Sequence, residues 1–381
     1  MDDAPRAPIP LRLTALEDAL AEWLALLAPV AARAVPAAWA VGRVLAGDLR
    51  APAPVPAAPV ALRDGWAVAA TETLGAGPYA PVPLPAPPPR LRPGDALPPG
   101  TDAVLPGFDL DADGPFAQVL QPVAAGDGVR RPGEDIPAGT LLRAAGERLR
   151  PQDLPALAAL GLREVAARVP RLAWIATGDG IAADPACDTN GVVLATLAGA
   201  EGAEWTALPP LPADPAAIAA ALRAAAATHD LVLLSGGTGE GPEDRSAEAL
   251  AAADRLLRHG IGARPGTTAG FGVVGGTPVL LVPGRTEDAL AAWLLLARPA
   301  IAALSGRAGA PAPRARLARK VASFVGMAEL VPLRRDAAWR ADPLAVGALP
   351  LGAVAAADAV LVVPPGSEGY EADTEIPILP L

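Results

Sequence analysis

A chain of 381 residues exceeds one ordinary domain and predicts two to four of them. With 52% hydrophobic and 19% charged residues, there is ample material for a buried core, which argues against general disorder. The formal net charge of −10 argues against general nucleic-acid affinity, so any anionic ligand must be held by helix N-termini, backbone nests or a few arginines. Cys187 is the sole cysteine, leaving no intrachain disulfide and no zinc cluster of cysteines. The 39 glycines and 46 prolines, many in Ala-Pro strings, and the single lysine, Lys320, read as drift in a GC-rich genome. Single Ala, Pro or Arg residues therefore say little about function. The segment Met1 to Pro10, with two acids and three prolines, lacks the form of a signal peptide. Apolar runs are broken by Arg or Pro before the ~18 residues needed to cross a bilayer. The expectation is a soluble, cytoplasmic protein without a membrane or nucleic-acid partner.

From Leu13 to Ala46 apolar residues recur at helical spacing, with Leu16, Ala19, Leu20, Trp23, Leu24 and Leu27 on one stripe. Pro29 and Pro36 divide this stretch into at least two helices. Ala51 to Pro106, rich in Pro and poor in helical period, predicts a small β or irregular domain, with strands at Val104-Leu105 and Ala117 to Leu120. A helix begins near Asp153, a candidate cap, and ends at Leu160-Gly161. Then Leu172–Ala176, Asp230–Leu234 and Pro278–Val282 read as apolar strands, each followed by a Gly-rich loop. Helical stretches lie at Asn190–Ala200 and Ala217–Ala227. This alternation predicts a doubly wound parallel sheet, whose ligands bind outside the carboxyl ends of the strands. Beyond Gly306, short strands such as Ala359–Val363 and Ile376–Leu381 predict a small all-β terminal domain.

The strongest local signal is Ser235-Gly236-Gly237-Thr238-Gly239-Glu240-Gly241. Four glycines directly after a buried strand let the backbone turn sharply and aim N–H groups at an anion. Asp244, just beyond, is placed to accept a hydrogen bond or hold a cation through water. Thr177-Gly178-Asp179-Gly180 also follows a strand, and Asp188-Thr189-Asn190 precedes a helix, where capping alone would explain Asp188 or Thr189. The cluster Arg130 to Asp135 reads as a solvated turn, and Asp64-Gly65 as a hairpin signal. His229 and His259 lack metal spacing, and neither reads as a catalytic base or a zinc ligand.

Taken in order, these segments resemble the molybdopterin molybdenumtransferase family over nearly the whole chain. Ala40 to Ala46 is similar to its A-x-G-R-x-L-A helix end, and Asp64-Gly65-Trp66-Ala67-Val68 to its D-G-Y-A-V. Pro98 to Val104 resembles P-x-G-A-D-A-V, and Arg131 to Ile136 resembles R-x-G-E-D-I. Thr177-Gly178-Asp179, Asp188-Thr189-Asn190, the Ser235-Gly236-Gly237 loop with Asp244, Pro265-Gly266 and Pro283-Gly284 follow in family order, as do Pro343-Leu344 and Pro364 to Tyr370. The resemblance implies a multidomain α/β fold with a MogA-like three-layer α/β molybdopterin-binding domain at 171–309. It also implies a helical linker domain at 1–48 with 141–170, a β-rich inserted domain at 49–140 and a C-terminal β domain at 310–381.

It further implies insertion of molybdate into adenylylated molybdopterin, with Mg2+ and release of AMP. The pterin and its phosphates would lie on Thr177, Gly178, Asp179, Asp188, Asn190, Ser235, Gly236, Gly237, Thr238, Gly239, Gly241, Pro265, Gly266, Pro283, Gly284 and Arg285. Asp179 and Asp244 would hold the metal, and Asp64 and Asp135, reaching across a homodimer interface, would join Asp244 in catalysis. A transient contact with a molybdenum enzyme would follow. Four positions depart from the family: Pro93 replaces a Thr, Gly180 a Glu, Thr267 a Lys and Arg285 an Asn. Arg264 and Arg285 are candidates to restore the lost positive charge, and Asp95 or Glu240 the lost carboxylate. The alternative is a non-catalytic paralogue that binds molybdopterin or the finished cofactor and carries it to a partner enzyme.

Overall fold

The computed structural model describes residues 9–113, 116–309 and 311–381. At its centre is a six-stranded sheet in the order Glu204–Ala207, Arg171–Ala176, Leu231–Ser235, Thr277–Val282, Gly270–Val274 and Arg255–His259. The first four strands are parallel and the last two run antiparallel. Its inner strands are unbroken apolar runs because both faces are covered. Leu172, Trp174, Leu233 and Leu280 face one core, shared with Thr189–Ala200 and the helix after Thr286. Ala173, Ile175, Val232 and Leu281 face the other, under Pro215–Ala226 and Ser246–Ala253. The result is three layers, with the expected α/β alternation and an antiparallel pair at one edge.

A long helical rod closes this unit: Thr286–Ala292, a π-helical segment Trp293–Ala297, and Arg298–Ser305. Pro299 has no N–H to donate back, which accounts for an irregular ladder at this point. The rod is 20 residues long and apolar on average, but Arg298 and Pro299 break its apolar run, as read from the sequence. Its apolar stretch is 67% buried inside the protein, as expected of a core helix.

The N-terminal stripe forms the helix Leu16–Ala25, with Leu16, Ala19 and Trp23 buried. Trp23 packs on Phe271 (ring centroids 5.1 Å apart) and donates its indole N–H to the Leu296 carbonyl at 3.1 Å. This helix therefore belongs to the core of the central sheet. The second helix expected before Asp48 does not form. Ala32–Pro36 is a strand, Ala37–Trp39 a single 3-10 turn and Val44–Leu45 another strand. Both strands pair with Glu164–Arg168, and only Leu154–Ala159 is α-helical in this part of the second segment. Proline interrupts the helix after Pro29, and alternation wins at Glu164–Arg168, where Val165 and Ala167 point inward and their neighbours outward. The expected helical domain is thus corrected among the described residues: Leu16–Ala25 joins the central core, and 32–48 with 141–170 form small sheets with the short helix Leu154–Ala159. Asp153 does not cap from outside. It sits at the end of the 3-10 turn Pro151–Asp153, accepts the Arg150 N–H at 2.8 Å and pairs with Arg143 through both oxygens at 2.8 and 2.9 Å.

Residues 49–140 carry short strands around small cores. Gly65–Val68 lies between Arg90–Leu91 and Ala103–Leu105, and Gln118–Val119 lies between Leu110–Asp111 and Val82–Pro83. Gly65 is required because a Cβ there would collide with the Leu105 carbonyl. The C-terminal part is built around Ala328–Arg335, flanked by Ala359–Val363 and Arg340–Pro343. It is not all-β, since Leu351–Ala356 is helical. Its sheet also recruits Ile261–Arg264 and Thr14–Ala15, which knits it to the central unit.

Candidate functional site

The site gathers at the carboxyl ends of the parallel strands. Leu231–Ser235 leads into Gly236 and Gly237, both at positive φ (94° and 57°). Gly236 donates its N–H to the Val282 carbonyl at 3.0 Å, and a Cβ on it would collide with the Thr177 carbonyl. Ser246 anchors the turn from behind: its N–H reaches the Gly237 carbonyl at 2.9 Å and its hydroxyl the Gly236 carbonyl at 2.6 Å. Asp244 closes the loop, accepting the Gly241 N–H at 2.8 Å and donating its own N–H to the Gly241 carbonyl at 3.0 Å. Among the described residues, no protein acceptor takes the N–H of Gly237, Thr238 or Gly239. Consecutive free N–H groups in a glycine turn form an anion-binding nest.

The neighbouring strand ends supply the walls. Thr177 is buried, and its N–H and hydroxyl both donate to the Ser235 carbonyl, at 2.7 and 3.1 Å, so it ties two loops together. Gly178 stands at φ 130°, and Asp179 is exposed at the start of Asp179–Ala183, with one oxygen accepting the Ala213 N–H at 3.1 Å. Asp188 spends both oxygens within the fold: one accepts from Gly191 N–H at 2.8 Å as the cap of Thr189–Ala200, the other from the Trp174 indole at 2.6 Å. Asn190 donates to the Gly284 carbonyl at 2.8 Å, while its own side-chain oxygen is buried without a partner. Gly266 (φ 104°) donates to Asp288 at 2.7 Å, and Thr267 turns its hydroxyl back to the Ala263 carbonyl at 3.0 Å.

Two adjoining cavities open on these loops. One, of about 140 Å3, is walled by Thr177, Gly178, Asp179, Glu243 and Asp244. The other, of about 530 Å3, is walled by Thr238, Gly239, Thr267, Thr268, Gly284 and Arg285. Gly237 and Asp244 are common to both. Among the described residues, no group of three or more His, Cys, Asp or Glu side chains stands ready to bind a metal by itself. Magnesium does not demand one: it takes one or two carboxylates, waters and substrate phosphates. Asp179 and Asp244, on one cavity beside a free N–H nest, fit that donor set.

Several sequence-selected residues lie apart from the cavities. Ser235 accepts from Thr177 through its carbonyl, and Ser235, Asp188, Asn190, Gly241 and Pro265 line neither cavity. Asp64 and Asp135 are exposed in the 49–140 part and line neither cavity of this chain; Asp135 pairs with Arg130 at 2.9 Å. Pro283 lines the larger cavity. Of the candidate replacements, Arg285 reaches the larger cavity but is paired with Glu287 and lies 3.7 Å from Asp288. Arg264 faces Glu329 at 3.7 Å. Asp95 accepts the Arg92 N–H at 2.7 Å within its own turn, and Glu240 the Leu11 N–H at 3.2 Å; neither lines a cavity. Two further carboxylates line the walls, Glu243 in the smaller cavity and Asp288 in the larger; sequence reasoning passed over both, although Glu243 adjoins Asp244. Thr268 was also passed over, and His259 was weighed only as a catalytic base or zinc ligand. Thr268 directly follows the Pro265-Gly266-Thr267 motif, whereas nothing local in the sequence marks His259.

Comparison with known proteins identifies the family. Residues 14–161 match the MoeA N-terminal region (domain I and II), and residues 173–303 match a probable molybdopterin binding domain. The chain is 30% identical over 297 residues to molybdopterin molybdenumtransferase 2 of Mycobacterium tuberculosis, covering 70% of this chain and 73% of that one. It is 29% identical over 292 residues to molybdopterin molybdenumtransferase of Haemophilus influenzae, covering 70% and 72%. A crystal structure of the molybdopterin biosynthesis MoeA protein from Pyrococcus horikoshii superposes with a TM-score of 0.70 at 26% identity, covering 97% of this chain and all of that one. Matching both halves of the fold, in order and at this coverage, the chain belongs to the molybdopterin molybdenumtransferase family.

Proposed function

We propose that the protein inserts molybdate into adenylylated molybdopterin and releases AMP, completing the molybdenum cofactor. The observation that carries this reading is the free N–H nest at Gly237, Thr238 and Gly239, set between two cavities with Asp179 and Asp244 on its rim. The nest offers donors to phosphate oxygens whose charge grows as the phosphoanhydride to AMP is cleaved. Thr238, Thr267, Thr268 and Arg285 line the larger cavity beside Asp244 and Asp288, and these hydroxyls and the guanidinium suit the pterin side and the incoming oxyanion. Mg2+, held by Asp179 and Asp244 together with phosphate oxygens, would neutralise that charge. Gly178, Gly236, Gly241, Gly266 and Gly284 shape the backbone, while Asp188 and Asn190 hold the helix and the Gly284 loop in place. Asp64 and Asp135 belong to this reading as contributions from a second copy in a homodimer. Residues 1–48 with 141–170, 49–140, 171–309 and 310–381 serve as its four domains, and the site of action is the cytoplasm.

The decisive assay is AMP release by the purified protein from adenylylated molybdopterin, with and without molybdate and Mg2+. AMP that appears only when molybdate is present is the expected result. Tight retention of the pterin nucleotide with no AMP would overturn the enzymatic reading and leave a carrier of the cofactor. Sedimentation of the same sample checks the dimer.

A further inference from the structure

Buried histidines that touch a ligand loop only through its backbone are easily taken for packing. His259 closes the edge strand Arg255–His259, is 6% exposed, and sits 21 residues beyond Thr238 in sequence. Its Nε2 lies 2.8 Å from the Thr238 carbonyl oxygen. A carbonyl only accepts, so Nε2 carries the proton. Nδ1 is buried without a partner among the described residues, so the ring meets the protein through its Nε2–H alone. An unpaired buried polar atom is costly, and packing alone would be served as well by an apolar ring.

We infer that His259 is a positioning residue that sets the direction of the peptide joining Thr238 to Gly239, and so makes the loop a donor to anions. The inference rests on the reading of that loop as a phosphate or oxyanion cradle. In a trans peptide the C=O and the following N–H point in opposite directions. With the Thr238 carbonyl drawn to buried His259, the Gly239 N–H is turned away from the histidine. Gly239 lines the larger cavity, and its N–H has no protein acceptor among the described residues. The Thr238 hydroxyl meets the Thr268 hydroxyl at 3.0 Å on the same wall. Glycine at 239 lets this peptide rotate at little steric cost, so the loop by itself does not choose a direction. Rotated by half a turn, the same peptide would show the cavity a carbonyl oxygen that repels an anion. His259 removes that state by binding the oxygen from behind.

The test uses the full chain and two variants, His259→Gln, which keeps a side-chain N–H donor, and His259→Leu, which does not. Equilibrium titration with adenylylated molybdopterin should show at least a tenfold weaker Kd for His259→Leu and a change under threefold for His259→Gln, with KM for the pterin following Kd. In 1H–15N spectra, the Gly239 amide should move on adding inorganic pyrophosphate in the native protein and in His259→Gln, and stay still in His259→Leu. Equal Kd and equal amide shifts in a folded His259→Leu protein would overturn the role. Should that variant fail to fold, the 15N spectrum of the native imidazole decides: a proton on Nε2 supports the assignment, and an Nε2 that carries none overturns it. Native protein that ignores adenylylated molybdopterin would sink the proposed function. The pyrophosphate titration would still judge His259 by the contrast between native and Leu proteins.

Discussion

Single side chains in this site divide into those that hold the loops and those that face the cavities. Asp244 does both: one oxygen closes the Gly241 turn, and the residue is shared by both cavities. Replacing it with Ala removes the closure and a metal-side carboxylate together, so AMP release should fall by tenfold or more, about 1.4 kcal/mol or more of barrier. Asp244→Asn can still accept the Gly241 N–H, so it should keep the native unfolding midpoint while activity falls. Equal activity of Asp244→Asn and native protein at limiting Mg2+ would remove Asp244 from the metal. Arg285 is the counter-case, largely exposed and already paired within its own helix turn. If it replaces the missing family lysine, Arg285→Ala should raise KM for molybdate several-fold and leave KM for the pterin unchanged. Unchanged molybdate dependence would mean that the charge was not replaced at that position. Residue roles of this kind were partly legible, because Gly, Thr and Asp at strand ends carry their own chemistry. His259 was illegible because its partner is a backbone atom 21 residues away, across the sheet edge.

Among the elements, the strands with unbroken apolar runs were the plainest to read. Arg171–Ala176, Leu231–Ser235 and Thr277–Val282 lie within a residue of where composition placed them. Burial on both faces writes itself into such a segment as an apolar run, whatever its neighbours are. The helix expected between Pro29 and Asp48 failed for the opposite reason. Alanine favours a helix there, but pairing with Glu164–Arg168 overrode that local preference and decided for strand. The connection between strand and loop is where a small change should matter most. Gly236→Ala must place a Cβ at φ 94° against the Thr177 carbonyl, with Thr177 itself tied to Ser235. Backbone strain alone costs about 1–3 kcal/mol. The expected outcome is a lower urea midpoint together with loss of pterin binding. Gly275→Ala, also at positive φ but with open space around it, should cost stability and leave binding intact. If Gly275→Ala abolished binding as well, general destabilisation would explain both.

Across the whole molecule, one carboxylate joins three parts of the chain. Glu201, 9% exposed and just past Thr189–Ala200, pairs with Arg148 from the 141–170 segment, with Arg298 at 2.6 Å and with Arg307 at 2.7 Å. Arg298 also donates to the Pro380 carbonyl at 2.7 Å, reaching the C-terminal sheet. Burial by itself would raise the Glu201 carboxyl, but the three guanidinium groups outweigh it and hold it below the usual 4.5. A carboxyl lowered in the folded state stabilises above its unfolded value and loses that contribution as pH falls through the folded one. Glu201→Gln should therefore lower the urea midpoint near pH 7, with a loss of unfolding free energy on the order of 3 kcal/mol because it leaves three arginines uncompensated. The gap to the native protein should narrow as pH drops below 4.5. A gap that stays constant down to pH 3 would place the effect in packing instead. Sequence by itself determined the three-layer unit, the family and the glycine-lined strand ends, because apolar runs and turn residues act through contacts local to the segment. Only the tertiary structure decided that the first helix serves the central core, that Ile261–Arg264 and Thr14–Ala15 extend the C-terminal sheet, that Glu243 lines a cavity, and that Glu201 and His259 face their partners. Those arrangements rest on pairings between distant segments, whose partners no local pattern of residues encodes.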